Sequence, residues 1–132
     1  MYASPKVIQT NQKNNGNGMS DVSSGRVAEE TAVQYLKNLG YKILATNWRT
    51  RYCEIDIVAL KQACVFFVEV KYRKQNSQGS GFDYITTKKM QQMRFAAEMW
   101  VSQNEWSGDY SLAAIEVNGL QFIVSGFEVG FI

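Results

Sequence analysis

Apolar positions along the chain alternate between helical and strand periods. Over 24–39, Val27, Ala28, Ala32, Tyr35, Leu36 and Leu39 recur at three- and four-residue spacings, which puts them on one helix stripe. Ser23 or Ser24 is the expected N-cap. Glu29 and Glu30 favour the first turns through the helix dipole, and Gly40 ends the helix. Residues 41–48 predict a strand centred on Ile43 and Leu44. Residues 53–60 and 64–72 predict two more, joined by a short turn near Lys61-Gln62-Ala63. A polar, glycine-containing loop over 73–83 leads to a second helix over about 84–103. Its expected inward positions are Ile85, Met90 or Lys89, Met93, Ala97, and Trp100 or Val101. Short strands near 111–117 and 121–125 flank Asn118-Gly119, a strong hairpin signal. The order αβββαββ predicts an α/β domain, a mixed β-sheet flanked by helices. Residues 1–22 lack an apolar period and read as a disordered N-terminal segment, leaving 23–132 as a single domain. Met19 competes with Met1 as the start.

At 132 residues the chain can bury one core, and 45% apolar with 20% charged residues is ordinary for a globular domain. No apolar run approaches the roughly 20 residues of a membrane span. The N-terminus lacks the apolar core of a signal peptide, so a cytoplasmic protein without membrane partners is expected. Histidine is absent, which excludes Cys/His zinc sites, Ser-His-Asp triads and Cys-His pairs within one chain. Cys53 and Cys64 are expected as reduced, buried thiols. The net charge of +2 is unevenly spread: residues 47–94 carry nine Lys+Arg against four Asp+Glu, and residues 95–132 carry none against five. A basic middle segment suits a polyanion, and equally suits ion pairing with the acidic end.

Three carboxylates and a lysine interrupt the two central strands: Glu54, Asp56, Glu69 and Lys71. In each strand the charges stand two apart and so share a face. Pairing the strands so that partner numbers sum to 125 sets Asp56 opposite Glu69, Glu54 opposite Lys71, Val58 opposite Phe67 and Leu60 opposite Val65, with Lys61 to Cys64 as a four-residue loop. One face is then charged at its open end and apolar near the turn. The other, with Cys53, Ile55, Ile57 and Ala59 beside Phe66, Val68 and Val70, is a core surface. Opposed carboxylates roughly 5 Å apart at Cβ can chelate a hard cation such as Mg²⁺ or Mn²⁺. Such a cation activates water against a phosphodiester, with Lys71 orienting the water or meeting developing charge. The plainer reading is a surface ion pair worth about 0–1 kcal/mol, which accounts less well for three acids in an apolar hairpin.

These residues resemble the D…(D/E)xK core of restriction-endonuclease-like nucleases, in Glu54-Ile55-Asp56 followed by Phe67-Val68-Glu69-Val70-Lys71. The wider pattern is similar to the YraN-like family of predicted endonucleases. Its GExxAxxYLxxxGYxIL motif is met by Ala28 to Leu36 and Gly40 to Leu44, its NxR…GEIDLIA motif by Asn47 to Arg49 and Cys53 to Ala59, and its VFVEVKxR motif by Phe66 to Arg73. Ala28 and Cys53 replace family glycines, and the RFD-like segment is not kept at Asp109-Tyr110-Ser111. The resemblance implies a restriction-endonuclease-like fold and a Mg²⁺- or Mn²⁺-dependent endonuclease acting on DNA, branched or single-stranded forms included. It implies that Asp56 and Glu69 bind metal beside Glu54, that Lys71 is the catalytic lysine and that Glu29 is a further acid, as in related Holliday-junction resolvases. Lys89 matches a lysine on the family's second helix and is a candidate phosphate contact.

Read from the residues alone, Glu29 also suits a first-turn dipole partner, and Lys88, Lys89 and Arg94 a solvated helix face. Arg49, Arg51, Arg73 and Lys74 flank the charged end of the hairpin and are candidate phosphate contacts. Trp48 and Tyr72 suit packing better than base stacking. A non-catalytic nucleic-acid-binding module is the competing function. A homodimer would widen the DNA footprint of so small a domain.

Overall fold

The computed structural model describes residues 21–74 and 82–130. Seven elements follow in chain order: α1 (Asp21–Asn38), β1 (Lys42–Arg49), β2 (Glu54–Lys61), β3 (Cys64–Arg73), α2 (Thr87–Gln103), β4 (Asp109–Asn118) and β5 (Ile123–Val129). The order αβββαββ is as expected. The strands form one sheet, β1-β2-β3-β4-β5. Neighbours run antiparallel except β3 and β4, which are parallel. A parallel step needs a long crossover, and the segment carrying α2 supplies it.

The helices cover opposite faces of the sheet. α1 buries Ala28, Ala32 and Leu36 against Ile57, Ala59, Val68, Ile115 and Val117. Two alanines on this stripe let the helix axis approach the sheet closely. α2 buries Met93, Ala96, Ala97 and Trp100 against Trp48, Val58, Val65, Phe67 and Leu112, and the Trp100 ring meets Phe67 edge-on at 5.5 Å. Cys53 and Cys64 are free, half-buried thiols. No helix among the described residues is long and apolar enough to cross a membrane.

α1 starts at Asp21, so Ser23 and Ser24 lie inside it and do not cap it. Its first turn takes up the last two residues of the segment 1–22 expected to be disordered; residues 1–20 lie outside those described. Its end is as expected. Gly40 adopts φ 91°, its N–H bonds the Lys37 carbonyl at 3.0 Å, and the Tyr41 N–H reaches the Leu36 carbonyl at 3.0 Å. This is the left-handed glycine stop that satisfies orphan carbonyls. α2 begins at Thr87 rather than 84, because Thr86 caps it by accepting the Lys89 N–H at 3.1 Å. Most of the polar loop before it, 75–81, lies outside the described residues.

The β2–β3 hairpin has the 125 register over five pairs, from Ile57 with Val68 to Lys61 with Cys64. The loop is therefore two residues, not four. Gln62 and Ala63 take φ 50° and 61°, the twist a tight hairpin demands. The β4–β5 connection is longer than its Asn118-Gly119 signal implied, since Asn118 pairs with Ile123 and residues 119–122 form the loop. Two face assignments also fail, and one is Cys53, which packs against the α2-side cluster. The other is Ile55, which packs on the α2 side with Trp48, its partner in β1, whereas Ile57 packs on the α1 side. Asn47, at φ 51°, interrupts strand alternation in β1 just here.

Candidate active site

The β2–β3 ladder stops at Ile57 and Val68, just short of the acids. Beyond it the Asp56 carboxylate, through Oδ2, accepts the Val70 N–H at 2.8 Å. A side chain thus takes the place of the missing strand carbonyl, and Asp56 is held at the gap between the strands. Its expected cross-strand pairing with Glu69, and that of Glu54 with Lys71, are absent from the ladder.

The carboxylates still gather electrostatically. Asp56 has its pKa pushed up to about 8, first by burial, then by the charge of Glu69, with smaller pushes from Glu29 and Glu54; the Val70 hydrogen bond opposes them. Glu29 projects from α1 and is also raised, chiefly by burial, against a hydrogen bond from Asn47 Nδ2 at 2.9 Å. So Asp56 and Glu29 accept from neutral donors. The other two acids lean on cations: Glu69 on Lys89 Nζ at 2.9 Å and Glu54 on Arg49 at 3.4 Å. As they stand, no three acidic or thiol side chains among the described residues converge on one point.

Lys71 is exposed, and its Nζ lies 5.6 Å from the centre of the Tyr84 ring. Tyr84 is not among the site residues that the sequence predicts. It sits in the turn before α2, its hydroxyl is buried without a hydrogen-bond partner, and its pKa is raised by burial and then by Glu69, Glu116 and Asp56. The tyrosine is therefore part of the acid cluster's wall. Nothing in residues 82–86 has a period that could have placed it there.

The basic residues divide. Arg73 turns inward, its Nε donating to Glu116 Oε2 at 2.8 Å, while Ser125 donates to Glu116 Oε1 at 2.8 Å. Lys89 lies against Glu69, within the acid cluster. Arg49 and Arg51 stay exposed at the β1–β2 turn, with Arg51 5.2 Å from the Tyr52 ring centre, and Lys74 is exposed at the end of β3. Trp48 is buried in the core, and Tyr72 stacks on Phe122 at 4.9 Å.

Comparison with known proteins gives one family. The model described as "Uncharacterised protein family UPF0102" matches residues 28–122. A UPF0102 protein of Cytophaga hutchinsonii is 32% identical over 111 residues, covering 84% of this chain and 98% of its own. One from a Sulfurihydrogenibium species is 36% identical over 104 residues, covering 78% and 90%. One from Herpetosiphon aurantiacus is 35% identical over 98 residues, covering 70% and 79%.

Proposed function

The chain belongs to the UPF0102 family, and we propose that it is a Mg²⁺- or Mn²⁺-dependent endonuclease that hydrolyses DNA phosphodiesters. The observation that carries this reading is Asp56, set in a strand gap, crowded by Glu69, Glu29 and Glu54, and left with a pKa of about 8. Such a group resists ionisation until positive charge arrives. Carboxylate oxygens without histidine or paired thiols suit a hard cation. The Lys89 ammonium beside Glu69 already supplies part of that charge.

Asp56 and Glu69 would hold the cation, and Glu54 would join them by leaving the exposed pair it makes with Arg49. When bound, Mg²⁺ or Mn²⁺ polarises the phosphodiester and lowers the pKa of an attacking water. Lys71 stands two residues from Glu69 on β3, with its ammonium near the Tyr84 ring. There it orients the water or offsets charge growing on the phosphate. Glu29 adds negative charge from α1. Arg49, Arg51 and Lys74 are placed to meet flanking phosphates. Lys89 would exchange Glu69 for phosphate when a cation enters, and Arg73 serves the site by fixing β3 to β4.

The test is incubation of the purified protein with duplex, single-stranded and four-way-junction DNA in Mn²⁺, Mg²⁺ or EDTA. Cutting is expected with metal and absent in EDTA, and Lys71→Ala should slow it by about 100-fold or more. Binding without cutting in either metal would instead select a non-catalytic nucleic-acid-binding module. The ion pairs that satisfy Glu69 and Glu54 without metal favour that second reading.

A further inference from the structure

Two of the large aromatic side chains exposed on the α2 face, Tyr52 and Phe95, line one groove. Tyr52 is 69% and Phe95 47% exposed. The groove, about 580 Å³, also takes in Glu54, Glu69, Lys88 and Lys89. Phe95 follows Lys88 and Gln91 on α2 at positions i, i+3 and i+7, so these three form one helix face toward the groove. Tyr52 stands on the β1–β2 turn. The groove thus carries two aromatic rings together with two of the proposed metal ligands.

Tyr52 is held rather than loosely displayed. Thr50 Oγ1 accepts the N–H groups of both Tyr52 and Cys53, at 3.1 and 3.2 Å, and the Thr50 N–H bonds the Cys53 carbonyl at 2.9 Å. The Arg51 guanidinium lies 5.2 Å from the Tyr52 ring centre. These bonds fix the backbone from which the Tyr52 ring projects, and an exposed aromatic ring beside an arginine is a stacking platform. Single exposed apolar side chains are commonplace, but two rings lining a groove with lysines and glutamines fit a ligand that is anionic along its backbone and aromatic along its side.

We propose that this groove binds an unpaired DNA strand, with bases stacked on Tyr52 and Phe95 and phosphates met by Lys88 and Arg51. The proposal deepens the nuclease reading and rests on it for the position of the scissile phosphate beside Glu54 and Glu69. Stacked bases inside a duplex offer no free ring faces, so the preferred substrate carries a single-stranded segment.

The test is made in EDTA, where no cleavage interferes. Fluorescence anisotropy compares a labelled 12-mer of thymidylate, an abasic strand of equal length and a 12-base-pair duplex, at low salt. The wild type should bind the thymidylate strand about 10-fold or more tightly than either competitor. Tyr52→Ala with Phe95→Ala should bind the thymidylate and abasic strands alike, its fold checked by circular dichroism. Equal binding of the thymidylate and abasic strands by wild type, duplex binding as tight as the thymidylate strand, or a base preference that survives in the double variant would each overturn the proposal. Base-dependent binding beside a failure to cleave would sink the nuclease reading and leave the groove's assignment standing.

Discussion

Asp56 binds protons up to about pH 8 in the folded chain, against an ordinary value of 3.8. Between those values the folded state holds the proton and the unfolded state does not. Stability without divalent metal therefore falls as pH rises through that window, by at most about 1.4 kcal/mol per pH unit for one group. Asparagine at this position cannot ionise, so Asp56→Asn should flatten the decline. Urea unfolding of both proteins from pH 5 to 9 checks this, and parallel curves would remove Asp56 from its place as the strained acid. Glu29 titrates in the same direction and is common to both proteins, so the difference between them reports Asp56 together with its electrostatic coupling to the neighbouring acids. The spacing of Glu54, Asp56, Glu69 and Lys71 was legible in the sequence because strand side chains repeat every two residues. Tyr84 was not, because it lies where no repeat constrains the path and only packing against β3 brings its ring to Lys71.

At the scale of the element, the β2–β3 hairpin turns on two residues that pay no heed to turn preference. Gln62 and Ala63 both sit at positive φ, which glycine and asparagine adopt with far less strain. Replacing them together, Gln62→Asn with Ala63→Gly, should stabilise the domain by about 1 kcal/mol. Denaturant unfolding at one pH measures this, and an unchanged or lower midpoint would count against the turn geometry. The missing Asn-Gly signal is also why a four-residue loop was expected here although the register itself was readable. Asn118-Gly119 misled in the opposite direction: glycine takes φ 80° there, yet opens a four-residue loop. Helix ends followed local chemistry where that chemistry was unambiguous, as at Gly40. Helix starts differed from expectation: α1 begins at Asp21, ahead of both serines, and α2 begins only after the Thr86 cap.

Across the whole molecule, the order of elements was readable because hydrophobic period changes from one segment to the next. The parallel pairing of β3 with β4 was not, since period says nothing about which strand a crossover returns to. Nor was the transfer of Ile55 to the α2 side, which depends on Asn47 breaking alternation in the neighbouring strand. These two tertiary features build the site's surroundings. β4 beside β3 supplies Glu116 to hold Arg73, and the end of the β2–β3 ladder leaves the gap that Asp56 fills. α1 brings Glu29 and α2 brings Lys89 to the same place. Cleavage assays depend on supplying the right DNA, whereas cation binding does not. The most direct measurement is therefore calorimetric titration of Mn²⁺ into wild type and Asp56→Asn at pH 6.5 and above pH 9. Wild type should bind one Mn²⁺ at both values, releasing close to one proton per ion at pH 6.5 and almost none above pH 9, with binding greatly weakened in the variant. No saturable binding by wild type, or equal affinity and proton release in Asp56→Asn, would contradict a cation site built on Asp56.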